Sequence, residues 1–266
     1  MFTLYSNEIS VCAQKVRIVL HEKGAHWDHR EIDILKKENL SDGYLRLNPN
    51  GVVPTLVHDE KVVVESTIIG EYLDDVIAEN PLRPHDPYQR AVMRVWTKMT
   101  DVAVHWAIGR ITWATSVREL FLNKADLDPQ EVFSKIPDRT RRELQMESLE
   151  QGIDHPAVKD AVAEIDRTLE RMEAGLNAGG WLAGGEYSLA DIGLAPYVHR
   201  LADLRMAAFW RDRPNVRDWY ERVSGRRAFR KAVIDGAPRD WCDLMASRGA
   251  GAWQVIAGHR LSACSA

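Results

Sequence analysis

Cysteine is scarce in this chain, with three in 266 residues, at Cys12, Cys242 and Cys264. An odd number spread so widely makes neither a disulfide framework nor a metal-ligand cluster. No metal site is expected, and a reducing cytosol is the expected compartment. Positive charge is not in excess either: 35 Lys and Arg face 39 Asp and Glu, for a formal net charge of −4. Without a basic stripe there is no electrostatic case for nucleic acid. No apolar run approaches the roughly 18–20 residues that span a bilayer, so no membrane partner is expected. The N-terminus lacks the basic-then-apolar order of a signal peptide, and internal repeats are missing. The remaining expectation is a soluble cytoplasmic protein. Its 45% hydrophobic and 28% charged residues are ordinary for a globular chain, and 266 residues can bury one large core or two smaller ones.

The organising stretch is Met1 to Gly24. Phe2–Tyr5 is a short apolar run that reads as a buried strand. From Cys12 the apolar positions change to helical spacing, with Cys12, Val16, Val19 and Leu20 at i, i+4, i+7 and i+8. A strand therefore enters a turn and a helix leaves it, and that turn carries Ser10 and Cys12. A helix N-terminus presents unpaired N–H groups and partial positive charge, which together favour an anion.

Downstream, Trp27–Asp33 alternates weakly and reads as an edge strand, and Leu35–Leu47 as a loop or short irregular helix. Thr55–Val57 and Val62–Val64 are β-rich runs joined by a few polar residues, which predicts a hairpin. A helix then starts at Glu65-Ser66-Thr67, with Ile69, Tyr72, Leu73, Val76 and Ile77 on one face. The order β-α-β followed by β-β-α predicts a small mixed sheet with helices packed on it, over residues 1–79. Residues 80–87, rich in proline, read as a linker.

Beyond the linker the strand signals stop, and residues 88–236 read as all-helical. Asp86, Pro87 and Gln89 are a helix start, with Val92, Trp96, Met99, Ala103 and Trp106 on its apolar side and an end near Ala114. Val158, Val162, Ile165, Leu169, Met172 and Leu176 mark a second strong helix. Ser188 and Asp191 form a capping box before a helix too apolar to be exposed, the expected core helix of this half. Residues 237–266 have poor periodicity and read as an appended tail, partly ordered at best.

Four strings then point one way. The strip Leu4–Arg17, with S-x-C-x-x-K-V-R, the segment Asn48–Leu56 (NPNGVVPTL), the pair Glu65-Ser66, and Trp181–Pro196 (WLAGGEYSLADIGLAP) occur in order. Over about residues 1–235 the chain resembles the cytosolic glutathione S-transferase superfamily. The resemblance implies an α/β plus all-α fold: a thioredoxin-like N-terminal domain (βαβ-ββα) and an all-helical C-terminal domain. It also implies glutathione as co-substrate and a homodimer.

The family's catalytic hydroxyl or thiol stands five residues before a basic residue of the first helix, as Ser10 stands before Lys15. The resemblance therefore implies that Ser10 donates a hydrogen bond to the glutathione sulfur, favouring the thiolate; serine there also suits a plain N-cap. By the same resemblance Pro54 is cis and Val53 pairs with the cysteinyl backbone of glutathione. Glu65 would meet its α-ammonium and Ser66 its α-carboxylate, with Lys36, Lys37 or Asn39 left for the glycyl carboxylate. Cys12 lies on the apolar stripe and reads as a packing residue. The alternative is a redox role through a mixed disulfide with glutathione, although in thiol-transferring classes the cysteine stands where Ser10 is.

The second half should shape the pocket for a hydrophobic or aromatic partner molecule, with Trp106, Ile108, Arg110 and Trp113 as candidate contacts. Arg83–Lys98, with ESTIIGEYLDD before it, is similar to the bacterial glutathione-dependent β-aryl etherases of the serine type, which open lignin-derived ethers. Residues just before Ser10 and the stretch Val117–Gly152 depart from that pattern. Isomerase chemistry of the maleylacetoacetate kind and a non-catalytic glutathione-binding role stand as alternatives, the former weakened by Val11 in place of a second serine.

Overall fold

The structure is a computed structural model that describes residues 1–122, 128–176 and 180–263. Strand β1 (Phe2–Ser6) enters first, and helix α1 (Val11–Glu22) crosses back to β2 (Trp27–Glu31), which pairs with β1 in parallel. Gly24 takes φ +63° just past α1, a left-handed stop that glycine adopts without a Cβ clash. A short helix α2 (Asp42–Leu47) leads to β3 (Thr55–His58) and β4 (Lys61–Val64), both antiparallel to their neighbours, in the order β2-β1-β3-β4. Asp59 and Glu60 link β3 to β4 with positive φ at both positions, the twist a two-residue hairpin requires. Helix α3 (Ser66–Val76) packs beside α1, burying Ile69 and Leu73 with Val16 and Val19.

The helical half begins at Pro87, capped by Asp86, whose side chain accepts from the Gln89 N–H. It runs without a break from 87 to 122 as α4 (Pro87–Met99), a π-turn (Thr100–Val104), α5 (His105–Thr112), a second π-turn (Trp113–Val117) and α6 (Arg118–Leu122). That is longer than the apolar periodicity suggests. Each π-turn inserts residues that shift the buried face around the helix, so a strict 3.6-residue pattern stops matching near Ala114. Helices α7 (Pro129–Ser134) and α8 (Arg139–Gln151) follow. Helix α9 (Pro156–Leu176) buries all six of its periodic residues. In α10 (Leu189–Asp203) both capping-box bonds of Ser188 and Asp191 are present, and the helix is buried on nearly every side. Helices α11 (Pro214–Gly225) and α12 (Arg227–Phe229) lead to the last element.

That last element departs from expectation. Residues 239–263 are not a loose tail but a helix, α13 (Arg239–Ala263), with Trp241, Met245, Ala252 and Ile256 buried. The Arg260 guanidinium pins it to the Asp166 carboxylate of α9 at 2.8 Å. The Gly- and Ala-rich stretch that weakens its periodicity is what allows close approach. A Cβ on Gly249 would stand 2.1 Å from the Leu204 carbonyl oxygen at the end of α10.

Candidate active site

A cavity of about 640 Å³ opens between the sheet half and the helical half. Most of the residues singled out from the sequence line it. Ser10 is the N-cap of α1, with extended backbone, and its Oγ accepts from the Ala13 N–H at 3.3 Å. That bond uses a lone pair and leaves the hydroxyl proton to be donated. The Val53–Pro54 peptide is cis, as the resemblance implied. Its loop is held from behind: Asn48 Nδ2 donates to the Val52 carbonyl at 2.9 Å, and the Tyr44 hydroxyl donates to the same oxygen at 2.7 Å. Glu65 adopts φ +68°, backbone that L residues seldom take and that concentrates at functional sites. Its exposed carboxylate accepts from Asn50 Nδ2 at 3.4 Å, and Ser66 beside it is buried at the first turn of α3.

Of the three candidates for the far carboxylate, Lys37 and Asn39 line the cavity and Lys36 does not, being paired with Asp33 at 3.0 Å. Asn39 donates from Nδ2 to the Gly51 carbonyl at 2.7 Å and keeps a buried Oδ1 with no hydrogen-bond partner among the described residues. The Lys37 ammonium lies over three rings of the helical half, 5.4 Å from Trp113, 4.9 Å from Phe121 and 5.2 Å from Phe133. Such cation–π contacts hold its charge across the mouth of the cavity. Phe121 escapes the sequence reading because two π-turns before it break the helical phase, and Phe133 because α7 is too short for a clear period.

Trp106, Ile108 and Trp113 line the facing wall, as expected. Arg110 does not. Its guanidinium turns away to Glu147 at 2.8 Å on α8, because helical spacing puts position 110 on the side that faces α8. Arg141 is a lining residue that sequence reasoning missed; it donates to the Asn50 carbonyl at 3.1 Å, and burial pulls its pKa down.

Cys12 is also a correction. It does not fill the core but lines the cavity, its Sγ 3.6 Å from His105 Nδ1 and 3.5 Å from the Tyr197 hydroxyl, which are themselves 3.2 Å apart. Burial pushes its thiol up, but the His105 charge and hydrogen bond, Lys15 and Tyr197 outweigh it and bring the pKa down to about 6. Burial works to lower the His105 pKa, but the Cys12 thiolate beside it raises it. The two therefore favour a thiolate–imidazolium pair. Histidine 93 positions away and tyrosine 185 away leave no local sequence signal for this cluster. Glu8, His29 and Glu31 bring possible metal-ligand atoms within 4.8 Å of one another, but outside the cavity lining. Glu8 already pairs with Arg17 at 3.0 Å, and Glu31 accepts from Asn7 at 2.6 Å.

A thioredoxin-like sheet, a helical half behind it and a cavity between them define the glutathione S-transferase fold. Family profiles agree: the N-terminal domain of glutathione S-transferases matches residues 9–76 and the C-terminal domain residues 143–222. The chain belongs to the glutathione S-transferase family. It is 33% identical over 236 residues to the protein LigF of Sphingobium sp. (strain NBRC 103272 / SYK-6), across 86% of this chain and 91% of that one. The crystal structure of the β-etherase LigF from Sphingobium sp. strain SYK-6 superposes with a TM-score of 0.78 at 30% identity, covering 87% of this chain and 98% of the other. A tetrachloro-p-hydroquinone reductive dehalogenase of Sphingobium chlorophenolicum is 28% identical over 244 residues, 87% of this chain and 95% of its own.

Proposed function

We propose that this chain activates the thiol of glutathione for attack on an aromatic electrophile, and that the electrophile is a β-aryl ether of the lignin type. Residues 1–79 then hold the tripeptide, residues 80–87 connect, and residues 88–236 shape the pocket for the partner molecule. The single observation that supports this best is the shared cavity, with Ser10, Val53, Pro54, Glu65, Ser66, Lys37 and Asn39 on one wall and Trp106 and Trp113 on the other. The polar groups suit the tripeptide: a helix N-terminus with a buried serine for an α-carboxylate, the exposed Glu65 carboxylate for an α-ammonium, and the Asn39 Oδ1, without a partner among the described residues, as an acceptor for an amide N–H.

In this reading Ser10 donates its hydroxyl proton as a hydrogen bond to the sulfur, which favours the thiolate. The thiolate attacks the carbon bearing the aryl ether; a C–S bond forms as the C–O bond breaks, and a phenolate leaves. A phenolate is a tolerable leaving group, so alignment and thiolate formation carry most of the rate. The tryptophan wall offers flat apolar surface to an aryl ring.

A pair of chains completes the proposal. Ile68 is 56%, Val95 64% and Val102 62% exposed, on α3 and the rod beside it, where the Arg94 guanidinium and the Glu71 carboxylate join at 2.8 Å. A second copy of the chain would cover this apolar face.

The test is retention on immobilised glutathione, followed by turnover with both enantiomers of a β-aryl ether, with a chloronitrobenzene and with maleylacetoacetate. Release of phenol from one enantiomer is the expected result. Retention without turnover of any substrate would point to a binding protein, and turnover of maleylacetoacetate alone to an isomerase.

A further inference from the structure

Glycine is the poorest helix former after proline, and inside a helix it usually answers a neighbour too close for a side chain. Four helical glycines here have such neighbours. A Cβ on Gly70 would stand 3.6 Å from Leu189, on Gly175 3.5 Å from Trp96, on Gly193 3.8 Å from Thr97, and on Gly249 2.1 Å from the Leu204 carbonyl oxygen. Gly109, in the interior of α5, has none: a Cβ there would meet no atom within 4 Å. The open space is the active-site cavity, which Gly109 lines together with His105, Trp106, Thr112 and Trp113. Gly109 stands three residues after Trp106 and four before Trp113, so the three are neighbours on one face of the helix. The two tryptophans are roughly 10.5 Å apart along the axis, and between them that face carries no side chain. Aromatic rings pair with centroids about 4.5–7 Å apart, so the gap admits one ring in contact with both indoles. Both walls are braced. Trp106 stands edge-on to His105 at 5.5 Å, and Trp113 stacks on Phe121 at 5.4 Å and meets Phe133 edge-on at 5.9 Å.

We propose that Gly109 is a specificity-determining residue: the gap it leaves between Trp106 and Trp113 seats the aryl ring that stays with the carbon taken by the glutathione sulfur. This rests on the reading above that the cavity binds glutathione and an aromatic electrophile. The placement follows from distance. His105, one helical turn before Gly109, brings its Nδ1 to 3.6 Å from Cys12 Sγ, and Cys12 stands two residues from Ser10. The gap therefore begins about 6 Å along the helix from the side chain that adjoins the seat of the sulfur. The C–O bond breaks on the side of the carbon away from the incoming sulfur, so the phenolate leaves in that direction. The ring nearest the sulfur is the one retained. The electrophiles that fit carry a planar ring one or two bonds from the reacting carbon. A side chain at position 109 would fill the gap from its floor and leave the fold intact, because no atom stands in its way.

The experiment measures, by calorimetry on the full chain, the binding of two stable thioethers, S-methylglutathione and S-phenacylglutathione, which differ by one aryl ketone group. The unsubstituted chain should prefer the phenacyl compound by about 30-fold, Gly109→Ala should reduce that preference, and Gly109→Leu should abolish it while S-methylglutathione binds as before. Thermal midpoints should hold or rise in both variants, since alanine and leucine are better helix formers than glycine. A preference that Gly109→Leu leaves unchanged overturns the proposal. So does an equal loss of both compounds, which marks a disturbed helix rather than a filled gap. Should turnover of a β-aryl ether fall in Gly109→Leu while the affinity preference stays, the gap holds the leaving ring and the assignment made here is wrong. The underlying reading fails in a different way: a chain that binds neither thioether has no glutathione site, and the proposal goes with it.

Discussion

At the scale of the residue, the proposed function gives Ser10 a second task beside its helix cap, on a different part of the same hydroxyl. Its lone pair caps α1 through the Ala13 N–H, and its proton stays available to a ligand. Ser10→Ala should therefore lower kcat/KM with glutathione by about 100-fold, the usual loss when one aligned donor to a developing anion is removed. It should cost only about 1 kcal/mol of stability, the worth of a cap. Steady-state kinetics beside a urea melt separates the two. Cys12→Ala should cost far less activity on the same ether substrate; the reverse order would move the chemistry to the thiol. Asp191 offers a pH prediction. Burial raises its carboxyl from the ordinary range to about 6, although it accepts hydrogen bonds from the Trp219 indole N–H at 2.8 Å and from the Leu182 N–H at 3.0 Å. The folded state thus binds its proton more tightly than the unfolded chain does. Its contribution is fully present below about pH 4 and falls by about 3 kcal/mol as pH rises to about 6. Urea midpoints at pH 4 and pH 7 should show that fall, and Asp191→Asn should flatten it.

At the scale of the element, the rod from 87 to 122 shows how a helix can serve a site that its own period hides. Thr100 and Thr115 each return a hydroxyl to the carbonyl four residues back, at 2.9 and 2.7 Å, and each sits in a π-turn. Such bonds accompany departures from the regular helix, and His105 and Trp113, next to and within these π-turns, both line the cavity. The loop before β3 depends on a smaller device. Gly51 takes φ +57°, and a Cβ there would stand 2.9 Å from Leu40 and 3.3 Å from the Asn39 carbonyl oxygen. Gly51→Ala should displace the Asn39 and Val53 backbones together, raising KM for glutathione more than it lowers kcat. Helix α13 is held by burial: Ile256→Ala should cost about 2–5 kcal/mol in a thermal or urea melt, a result that a loose tail would not give.

At the scale of the whole molecule, charged groups tie the sheet half to the connecting segment and, through Arg226 on Glu22 at 2.6 Å, to the helical half. Lys23 and Asp74 form an ion pair at 2.5 Å with almost no exposure, and Asp74 also accepts from the Leu82 N–H and from Arg83, both on the connecting segment. Removing one partner of a buried pair leaves the other charged and unsolvated, so Asp74→Ala should destabilise by about 3–5 kcal/mol. Arg17 acts likewise, buried at 4% exposure and donating to the Ala232 carbonyl from the far end of the chain. The proposed association predicts that Val95→Glu yields a smaller species by sedimentation with the fold intact by circular dichroism.

The sequence by itself determined the elements that local rules specify. The opening strand and helix, the hairpin, the N-cap of α4, the capping box of α10 and the face of α9 were all readable, because periodicity, turn residues and caps act over a few positions. The same local rules mark Ser10, Glu65 and Ser66 as helix starts, whereas their ligand roles came from the resemblance and remain proposed. Tertiary structure alone decided what depends on residues far apart in the chain: that Arg110 faces Glu147, that Lys37 meets three rings, that α13 packs on α9, and that Cys12 meets His105 and Tyr197. The physical reason is that a thiol's acidity, or a lysine's resting place, is set by the charges and rings around it in space. A linear pattern carries no record of those neighbours until the chain has folded.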